Sequence, residues 1–366
     1  MHTVLILGGY GFFGTRISAA LCRDSATRVL IAGRDTSKAA AAAAALGLPA
    51  QSAVRVDAGD AALSEQLASL GVDTVLHTAG PFQGQDYAVA RAAINAGCNY
   101  VDLGDGRQFV AGIHTLNEAA ARAGVTVVSG ASSIPALSSA VVDRYAPEFA
   151  ELTSVRLGIS SGSRAPGIAT VKGIFGYCGK PFDRLEDGVW TCAYGWLGLR
   201  RYQFPDPLGN RLFGSCDVPD LELFPRCYPT LRTVTFEAGF ASNVGHLVVW
   251  AIAGLVRRGL LSSAAGCAGP LNRISRWIEP LISDKGGMFV EMRGRGRDGY
   301  PKSLVWHLVA AQNHGPNIPC GASIALVRRL ARGDALPRGA MPCMGLLSLA
   351  QILEPLKELA VWEIPP

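Results

Sequence analysis

The sequence predicts an α/β protein with an N-terminal doubly wound parallel sheet and a second α+β domain whose sheet is mainly antiparallel. In the first third of the chain, short β-branched runs alternate with helix-like segments, and a glycine-rich stretch directly follows the first run. From about residue 151 the pattern changes to segments rich in glycine, proline and aromatic residues, with fewer clear helices. A chain of 366 residues is long enough for two domains.

Six strands separated by helices are predicted in the first third, which is the pattern of a parallel, doubly wound sheet. The strands are TVLILG, RVLIAG, AVRVD, DTVLHTAG, NYVDLG and VTVVSG. Seven consecutive alanines, Ala39 to Ala45, follow the second strand and predict a helix with Asp35 or Thr36 as its N-cap.

The remainder of the chain predicts an antiparallel sheet and two further helices. RTVTFEAGF, GMFVEMRGRG and PKSLVWHLVAA are typical of antiparallel strands, the last two joined by an RDGY hairpin turn. GASIALVRRLARG and the amphipathic LLSLAQILEPLKEL predict helices. We therefore predict a nucleotide-binding domain at 1–130, a substrate-binding and dimerisation domain at 131–334, and a C-terminal segment, 335–366, that packs back onto the first domain.

Composition excludes several classes of protein. The chain is 49% hydrophobic and 17% charged, which is not a disordered composition. The net charge of +5 is mild and the arginines are scattered, so nucleic-acid binding is not favoured. Nine cysteines are spread singly without zinc spacing, which predicts reduced thiols and no metal site. The longest apolar stretch, Val244 to Val256, is too short to span a bilayer, and the N-terminus lacks a signal-peptide pattern. We expect a cytoplasmic protein with a small-molecule substrate.

The glycines after the first strand form a phosphate-binding pattern. Gly9, Gly11 and Gly14 fit G-x-G-x-x-G, and Gly8, Gly11 and Gly14 fit a wider spacing equally well. In such a corner one glycine permits the turn, one admits a pyrophosphate, and one lets helix and strand pack closely. The predicted cofactor-binding residues at this corner are Gly9, Tyr10, Gly11, Phe12, Phe13 and Gly14.

The residue after the second strand indicates which dinucleotide binds. Arg34 lies where an NAD-preferring site places an acid for the ribose 2′-hydroxyl, and a guanidinium there suits a 2′-phosphate. The sequence therefore favours NADP(H). In the competing interpretation Arg34 is solvated and Asp35 contacts the ribose, although Asp35 also suits a helix cap.

Other strand ends complete the predicted crevice, since ligands of such sheets bind beyond the carboxyl ends of the strands. Further cofactor contacts are predicted at Asp57 on the adenine side and at Thr78, Ala79, Gly80, Pro81, Ser129 and Gly130. His77 is predicted to be a packed strand residue. Asp105 and Asp102 are the candidate catalytic residues, with a structural role open for each.

Two features of the predicted second domain have more than one interpretation. Arg293, Arg295 and Arg297 alternate along a presumed strand and share a face. That face is either a carboxylate clamp or, as we favour, the solvated outside of a hairpin. The apolar segment 244–256 lines a pocket, forms a dimer interface or belongs to the core.

GGYGFFG, AGRD, TAGPFQGQDYAVARAAINAGCNYVDLGDG and SGASSIPALSS together resemble the saccharopine dehydrogenase (saccharopine reductase-like) family, in its bacterial branch. The resemblance is close over about residues 1–140 and looser beyond. It implies a Rossmann domain, a second α+β domain, possible homodimers, and hydride transfer at a carbon bearing nitrogen in an amine, imine or amino-acid-like molecule. Two alternatives stay open, a reductase of C=C or C=O bonds in a lipid-like intermediate and a non-catalytic NADP(H) sensor. The Tyr-x-x-x-Lys pair of short-chain dehydrogenases is absent from the sequence.

Overall fold

The structure is a computed structural model that describes residues 1–162, 171, 173, 175–267, 269 and 282–366. Two units divide the chain, one formed by Met1–Leu137 with Asn317–Leu356 and the other by Ser138–Pro316 with Lys357–Pro366. Each unit is built on its own sheet.

The sheet of the first unit is parallel throughout. Its strands are β1 (His2–Leu7), β2 (Thr27–Gly33), β3 (Ala53–Arg55), β4 (Thr74–His77), β5 (Asn99–Asp102), β6 (Thr126–Ser129) and β15 (Gly339–Pro342). They lie in the order β15-β6-β5-β4-β1-β2-β3. This is the doubly wound order of a dinucleotide-binding fold with one strand added at the edge, so the predicted fold class is confirmed.

Helices cover both faces of this sheet, which explains why its central strands are apolar on both sides. Val4, Leu5 and Ile6 of β1 are all inaccessible to solvent. The helices of the first unit are α1 (Gly14–Leu21), α2 (Thr36–Ala45), α3 (Leu63–Ser69), α4 (Ala88–Asn95), α5 (Arg107–Gly112), α6 (Asn117–Arg122), α10 (Gly321–Arg332) and α11 (Leu349–Leu353). The alanine-rich helix α2 has Asp35 as its N-cap, which accepts a hydrogen bond from the Lys38 N–H.

The C-terminal segment of the first unit is Asn317–Leu356, whereas the predicted segment was 335–366. Helix α10 was expected in the second domain. It packs instead on α1, β1 and β5, and its first seven residues, Gly321–Val327, are all buried. Residues 357–366, expected on the first domain, belong to the second unit, where β16 (Val361–Ile364) pairs with a strand of the second sheet. The first boundary falls at Leu137 instead of residue 130.

The terminal amphipathic helix is also much shorter than predicted. Of LLSLAQILEPLKEL, only Leu349–Leu353 forms an α-helix, with a capping box made by Ser348 and Gln351. Pro355 explains the early end, because proline has no N–H to continue the helical hydrogen bonding. A short 3₁₀ turn, Glu354–Leu356, follows.

The second unit holds a mixed, mainly antiparallel sheet. Its further strands are β7 (Phe149–Ser161), β8 (Pro181–Glu186), β9 (Val189–Tyr194), β10 (Arg200–Gln203), β11 (Asn210–Ser215), β12 (Thr233–Phe240), β13 (Gly286–Gly296) and β14 (Pro301–Ala310). The main path runs β10-β11-β12-β7-β13-β14-β16, and β8 joins β9 to β12. The predicted β13–β14 hairpin is confirmed. The prediction for RTVTFEAGF was wrong in one respect, because β12 pairs in parallel with β7.

Helices α7 (Ser138–Tyr145), α8 (Asp220–Cys227) and α9 (Asn243–Arg257) belong to the second unit. Helix α9 contains the apolar segment 244–256 and is not plain core, since Val244, Leu247 and Trp250 are between 40% and 73% exposed. Its opposite side buries His246, Val249 and Ala253. Among the described residues, no helix combines the length and apolarity needed to cross a membrane.

Candidate functional site

The turn between β1 and α1 carries four glycines, and two of them clearly have no room for a side chain. Gly8 has a φ of 87°, and a Cβ built on it would lie 2.9 Å from the Thr78 Oγ1 atom. A Cβ on Gly14 would overlap the Gly8 carbonyl oxygen and lie 2.7 Å from the Gly9 Cα atom. Gly8 therefore makes the tight turn, and Gly14 lets the helix pack closely on the strand.

Gly11 is the glycine of this turn with the fewest atoms near the position of a Cβ. A Cβ on Gly11 would approach only the Gly8 carbonyl group, with 2.9 Å to its oxygen. The Gly11 N–H donates to the same oxygen at 2.8 Å and so is used within the turn. The surface above Gly11 is therefore free of side chains, as close approach of a pyrophosphate requires.

The amides that are available at this corner belong to Phe12, Phe13 and Gly14. Their N–H groups donate a hydrogen bond to none of the described residues, whereas the Thr15 N–H already donates to the Gly11 carbonyl at 3.0 Å. Unpaired amides in the first turn of a helix, reinforced by the helix dipole, attract a phosphate anion. The corner from Gly9 to Gly14 therefore has the geometry of a phosphate cradle.

Arg34 and Asp35 follow the end of β2, and their side chains have different surroundings. Arg34 is exposed. The Asp35 carboxylate caps α2 and forms an ion pair with Lys38 at 3.0 Å. The Tyr10 hydroxyl accepts a hydrogen bond from the Asp35 N–H at 3.2 Å and lies against Gly33. The Asp35 carboxylate is thus engaged by its own helix, whereas the Arg34 side chain is exposed.

The end of β3 contributes a second arginine, which the sequence analysis missed. The strand register pairs Arg55 with Gly33, so Arg55 lies one strand away from the Arg34 backbone. Its position near the end of the AVRVD strand, next to the second strand, is the sequence feature that could have identified it. Asp57, two residues on, is exposed, and its Oδ1 accepts a hydrogen bond from the Gly59 N–H at 3.1 Å. One oxygen of the predicted adenine-side carboxylate is thus used in a local turn.

The loop after β4 forms the next wall of the crevice and is held by side chains. Thr78 Oγ1 donates to the Leu7 carbonyl at 3.0 Å, which places the loop beside the glycine turn. Gln85 Nε2 donates to the carbonyls of Ala79 at 3.0 Å and Pro81 at 2.7 Å. The predicted contact residues Thr78 to Pro81 therefore lie at the carboxyl edge next to β1. Gln85 is a supporting residue that the sequence analysis did not identify.

Asp102 ends β5 and is inaccessible to solvent. Its Oδ1 accepts hydrogen bonds from the Gly104 N–H at 2.8 Å, the Gly130 N–H at 2.8 Å and the Ser129 hydroxyl at 2.9 Å. Its Oδ2 has no hydrogen-bond partner among the described residues. Burial raises the pKa of Asp102 to about 6, and the hydrogen bonds to Oδ1 oppose that rise. The carboxyl group therefore joins the end of β5 to the loop after β6.

Two buried rings lie beside Asp102. The Tyr100 hydroxyl is 3.0 Å from His77 Nδ1, and burial together with the Asp102 charge raises the pKa of Tyr100. Burial lowers the pKa of His77 to about 4, so this histidine is neutral at pH 7. His77 is a packed strand residue, in agreement with its predicted role.

Asp105, the other candidate acid, is exposed. Gln83 Nε2 donates a hydrogen bond to its Oδ1 at 3.0 Å. Surrounding protein atoms desolvate the carboxyl group and raise its pKa, while the Gln83 hydrogen bond opposes the rise. Asp105 is therefore the accessible carboxyl group of the two, and Asp102 is the enclosed one.

The raised pKa of Asp102 predicts a pH-dependent stability. Its folded-state pKa of about 6 exceeds the ordinary value of 3.8, so its stabilising contribution is complete below about pH 4 and is lost as the pH rises through about 6. Asp102→Asn retains an oxygen acceptor but does not ionise. We expect the free energy of unfolding of the variant, relative to the parent, to rise by on the order of 3 kcal/mol between about pH 4 and about pH 7.

Urea unfolding at several pH values measures this difference. Asp57→Asn, at an exposed aspartate of the same unit, is the control. A pH profile of Asp102→Asn that runs parallel to the parent profile would contradict the prediction.

The three alternating arginines of β13 all have partners in the structure. Arg293 pairs with Glu291, Arg295 with Glu151 at 3.1 Å, and Arg297 Nε donates to the Pro147 carbonyl at 2.6 Å. The first two are about 60% exposed, at 58% and 60% of the side chain. This is the solvated face that we favoured over a carboxylate clamp. No group of three or more His, Cys, Asp or Glu side chains within the described ranges is placed to hold a metal ion.

Comparisons with known proteins give a domain match for the first part of the chain and a shared fold for the whole chain. Residues 4–128 match the family model described as the saccharopine dehydrogenase NADP binding domain. No curated protein matches the chain in sequence. Among solved structures, apo saccharopine dehydrogenase (L-Glu forming) from Saccharomyces cerevisiae is similar over 100% of both chains, with a TM-score of 0.68 and 15% identity. At this identity the likeness shows a shared fold.

Two other solved structures show weaker likenesses. An amine dehydrogenase from Mycobacterium smegmatis has a TM-score of 0.49 and 11% identity, over 96% of this chain and 95% of that one. A mutant meso-dapdh with DAP from Clostridium tetani has a TM-score of 0.47 and 12% identity, over 98% of this chain and 99% of that one. No argument depends on either.

Proposed function

Because residues 4–128 belong to the saccharopine dehydrogenase NADP-binding domain family, we propose that the chain is an NADP(H)-dependent oxidoreductase acting at a carbon–nitrogen centre of a small, amino-acid-like molecule. The observation that carries the proposal is the row of Phe12, Phe13 and Gly14 N–H groups next to Gly11, which have no hydrogen-bond partner within the described ranges. Such a row is arranged for a pyrophosphate.

The residues at the carboxyl edge of the first sheet fit this cofactor. The amides of Phe12 to Gly14 would hold the pyrophosphate, and Arg34 would pair with the 2′-phosphate. Thr78 to Pro81, with Ser129 and Gly130, would border the nicotinamide half, since they end the strands beyond β1. When bound, NADP(H) supplies or accepts a hydride at the nicotinamide ring.

The two aspartates take different roles in this proposal. Asp105 is exposed and its pKa is raised, so it is suited to bind an amine or to move a proton at its Oδ2 atom. Asp102 is enclosed and its Oδ1 is held by three donors, so it acts as a positioning residue for the loops that contain Gly104 and Gly130. Homodimer formation, a bacterial source and a cytoplasmic location stay predictions.

Replacing Arg34 tests the choice of cofactor. We expect Arg34→Ala to weaken NADPH binding by about 10-fold to 100-fold and to leave NADH binding nearly unchanged, because one charge-assisted contact contributes about 1.5–3 kcal/mol. Isothermal titration of both nucleotides measures this preference. Arg28→Ala, at an exposed arginine of the same strand, is the matched control. Equal affinities of the parent for NADPH and NADH would refute the assignment.

A further inference from the structure

Helix α9 (Asn243–Arg257) carries an apolar strip on its solvent-facing side, which we name the α9 face. Each of its side chains is between 40% and 73% exposed, and they are Val244, Leu247, Val248, Trp250 and Leu255. At 3.6 residues per turn they fall within a sector of about 160° around the helix and extend for about 17 Å along its axis. The strip is therefore continuous along most of the helix.

The opposite side of α9 is buried. His246, Val249 and Ala253 are enclosed there, and the helix packs on β11 and β12. A helix at the surface of a globular protein normally turns polar side chains outward, and a helix that is apolar on all sides is normally covered. The α9 face therefore has the character of a surface that meets a further apolar partner.

The α9 face carries few hydrogen-bonding groups. The Trp250 indole N–H is the one polar group that its five side chains supply. Asn243, at the start of the helix, uses its Oδ1 atom to accept a hydrogen bond from the Leu212 N–H at 3.1 Å. Interfaces between proteins contain about one hydrogen bond per 100–200 Å². The face is thus poorly equipped to select a protein partner and is better suited to a fluid apolar phase.

Positive charge lies at the C-terminal end of the α9 face. Arg257 and Arg258 are both exposed, and the Arg257 guanidinium lies 4.1 Å from the centre of the Tyr194 ring. The sequence contains no aspartate or glutamate between Glu237 and Glu279. The helix therefore combines an apolar strip with a basic end and has no acidic residue of its own, which complements an anionic partner.

A second copy of the same helix complements these charges poorly. In an antiparallel pair across a two-fold axis, the arginines of one helix meet the N-terminus of its partner, which is the positive end of the helix dipole. In a parallel pair the arginines of both helices meet one another. No carboxylate on α9 compensates the repulsion in either arrangement. An anionic surface, in contrast, attracts Arg257 and Arg258 together.

We propose that the α9 face binds the surface of an anionic lipid bilayer. The helix would lie parallel to the membrane plane, with its aliphatic side chains inserted about 5–10 Å into the boundary between headgroups and acyl chains. Trp250 would lie at the level of the headgroups, where indole rings are enriched. Arg257 and Arg258 would pair with lipid phosphates.

This inference goes beyond the proposed function and does not depend on it. All residues of the α9 face belong to the second unit, and they lie outside residues 4–128, which match the cofactor-binding model. Membrane binding therefore has to be measured separately from NADPH binding.

Sedimentation of the full chain with lipid vesicles tests the proposal. One set of vesicles is phosphatidylcholine alone, and the other contains about one third phosphatidylglycerol, which makes its surface negative. We expect at least about tenfold tighter binding to the anionic vesicles, and we expect added salt to weaken that binding by screening the arginines. Tryptophan emission should shift to shorter wavelength on binding, and the shift should be smaller in Trp250→Phe.

The variants separate the α9 face from general effects of charge. Leu247→Glu and Leu255→Glu are each expected to weaken binding to anionic vesicles at least about tenfold, because they remove apolar contact and add a repelled charge. Leu199→Glu is the matched control, since Leu199 belongs to the same unit and is 42% exposed, as Leu247 is. All three sites are exposed, so melting temperatures and NADPH affinities are expected to stay at the parent values.

Three results would overturn the assignment of the α9 face. The first is a parent protein that sediments with neither kind of vesicle. The second is vesicle binding that Leu247→Glu and Leu255→Glu leave unchanged. The third is a parent dimer, seen by light scattering, that the same two variants convert to monomers, because a second copy would then cover the face.

Discussion

Gly11→Val is expected to lower the affinity for NADPH at least about 100-fold, or 2.7 kcal/mol, while the chain stays folded. The valine side chain would add bulk at the turn where close approach of a pyrophosphate is needed, next to Phe12 and Phe13, whose N–H groups have no partner among the described residues. Within the protein its Cβ would lie 2.9 Å from the Gly8 carbonyl oxygen, so the turn has to shift locally, although no second backbone segment opposes the side chain as it does at Gly14. Fluorescence titration with NADPH measures the loss, and circular dichroism measures the fold.

The control for this prediction is Gly254→Ala, a glycine replacement in helix α9 far along the sequence from the turn. It is expected to leave NADPH affinity unchanged. If Gly11→Val binds NADPH as tightly as the parent, then the pyrophosphate does not lie over this turn. The assignment of the cofactor site would then be wrong.

Gly14→Val is expected to abolish stable folding of the first unit, although it lies only three residues from Gly11. Its Cβ would overlap the Gly8 carbonyl oxygen and lie 2.7 Å from the Gly9 Cα atom. Both are backbone atoms of the same tight turn, so no rotamer change relieves the overlap. The expected cost is about 4 kcal/mol or more, a large part of the 5–15 kcal/mol that stabilises a typical domain.

Thermal unfolding and the soluble yield of Gly14→Val, compared with Gly11→Val, measure this cost. The two variants carry the same chemical change in the same turn, so any general effect of valine appears in both. A Gly14→Val protein with the melting temperature of the parent would show that the helix does not need to approach the strand closely at this point.

The first six strands and the glycine turn were predictable because their signals are local. Val4 to Ile6 form a continuous apolar run, and the glycines follow it directly, so a few neighbouring residues were sufficient. Residues 4–128, which contain these signals, match the saccharopine dehydrogenase NADP binding domain model. The predicted fold class is confirmed for the same reason.

Long-range pairing was not predictable from the sequence. The strand β15 and the parallel pairing of β12 with β7 join residues that are far apart in the chain, and apolar patterns do not record partners. The hydrogen bonds to Asp102 Oδ1 involve Gly104, Ser129 and Gly130, so the closed environment of that carboxyl group was also hidden. Asp105, in contrast, is exposed in the structure.

The second sheet shows the same limit. Arg156, Arg200, Glu237 and Glu291 are separated by tens of residues, and each is unremarkable in its own segment. Only the strand register brings them to one face of the sheet. The alternating arginines 293, 295 and 297 were noticed because they are close in sequence.

The edge strand β15 has a consequence for synthesis on the ribosome. It adds to β6 through residues Gly339–Pro342, so roughly 200 residues must be translated after β6 before its edge is paired, which takes roughly 10–40 s at usual rates. During that interval the nascent chain exposes an unpaired strand of the kind that promotes aggregation. Expression of residues 1–137 alone would make this exposure permanent, and a stable excised fragment needs residues 317–356 supplied alongside it.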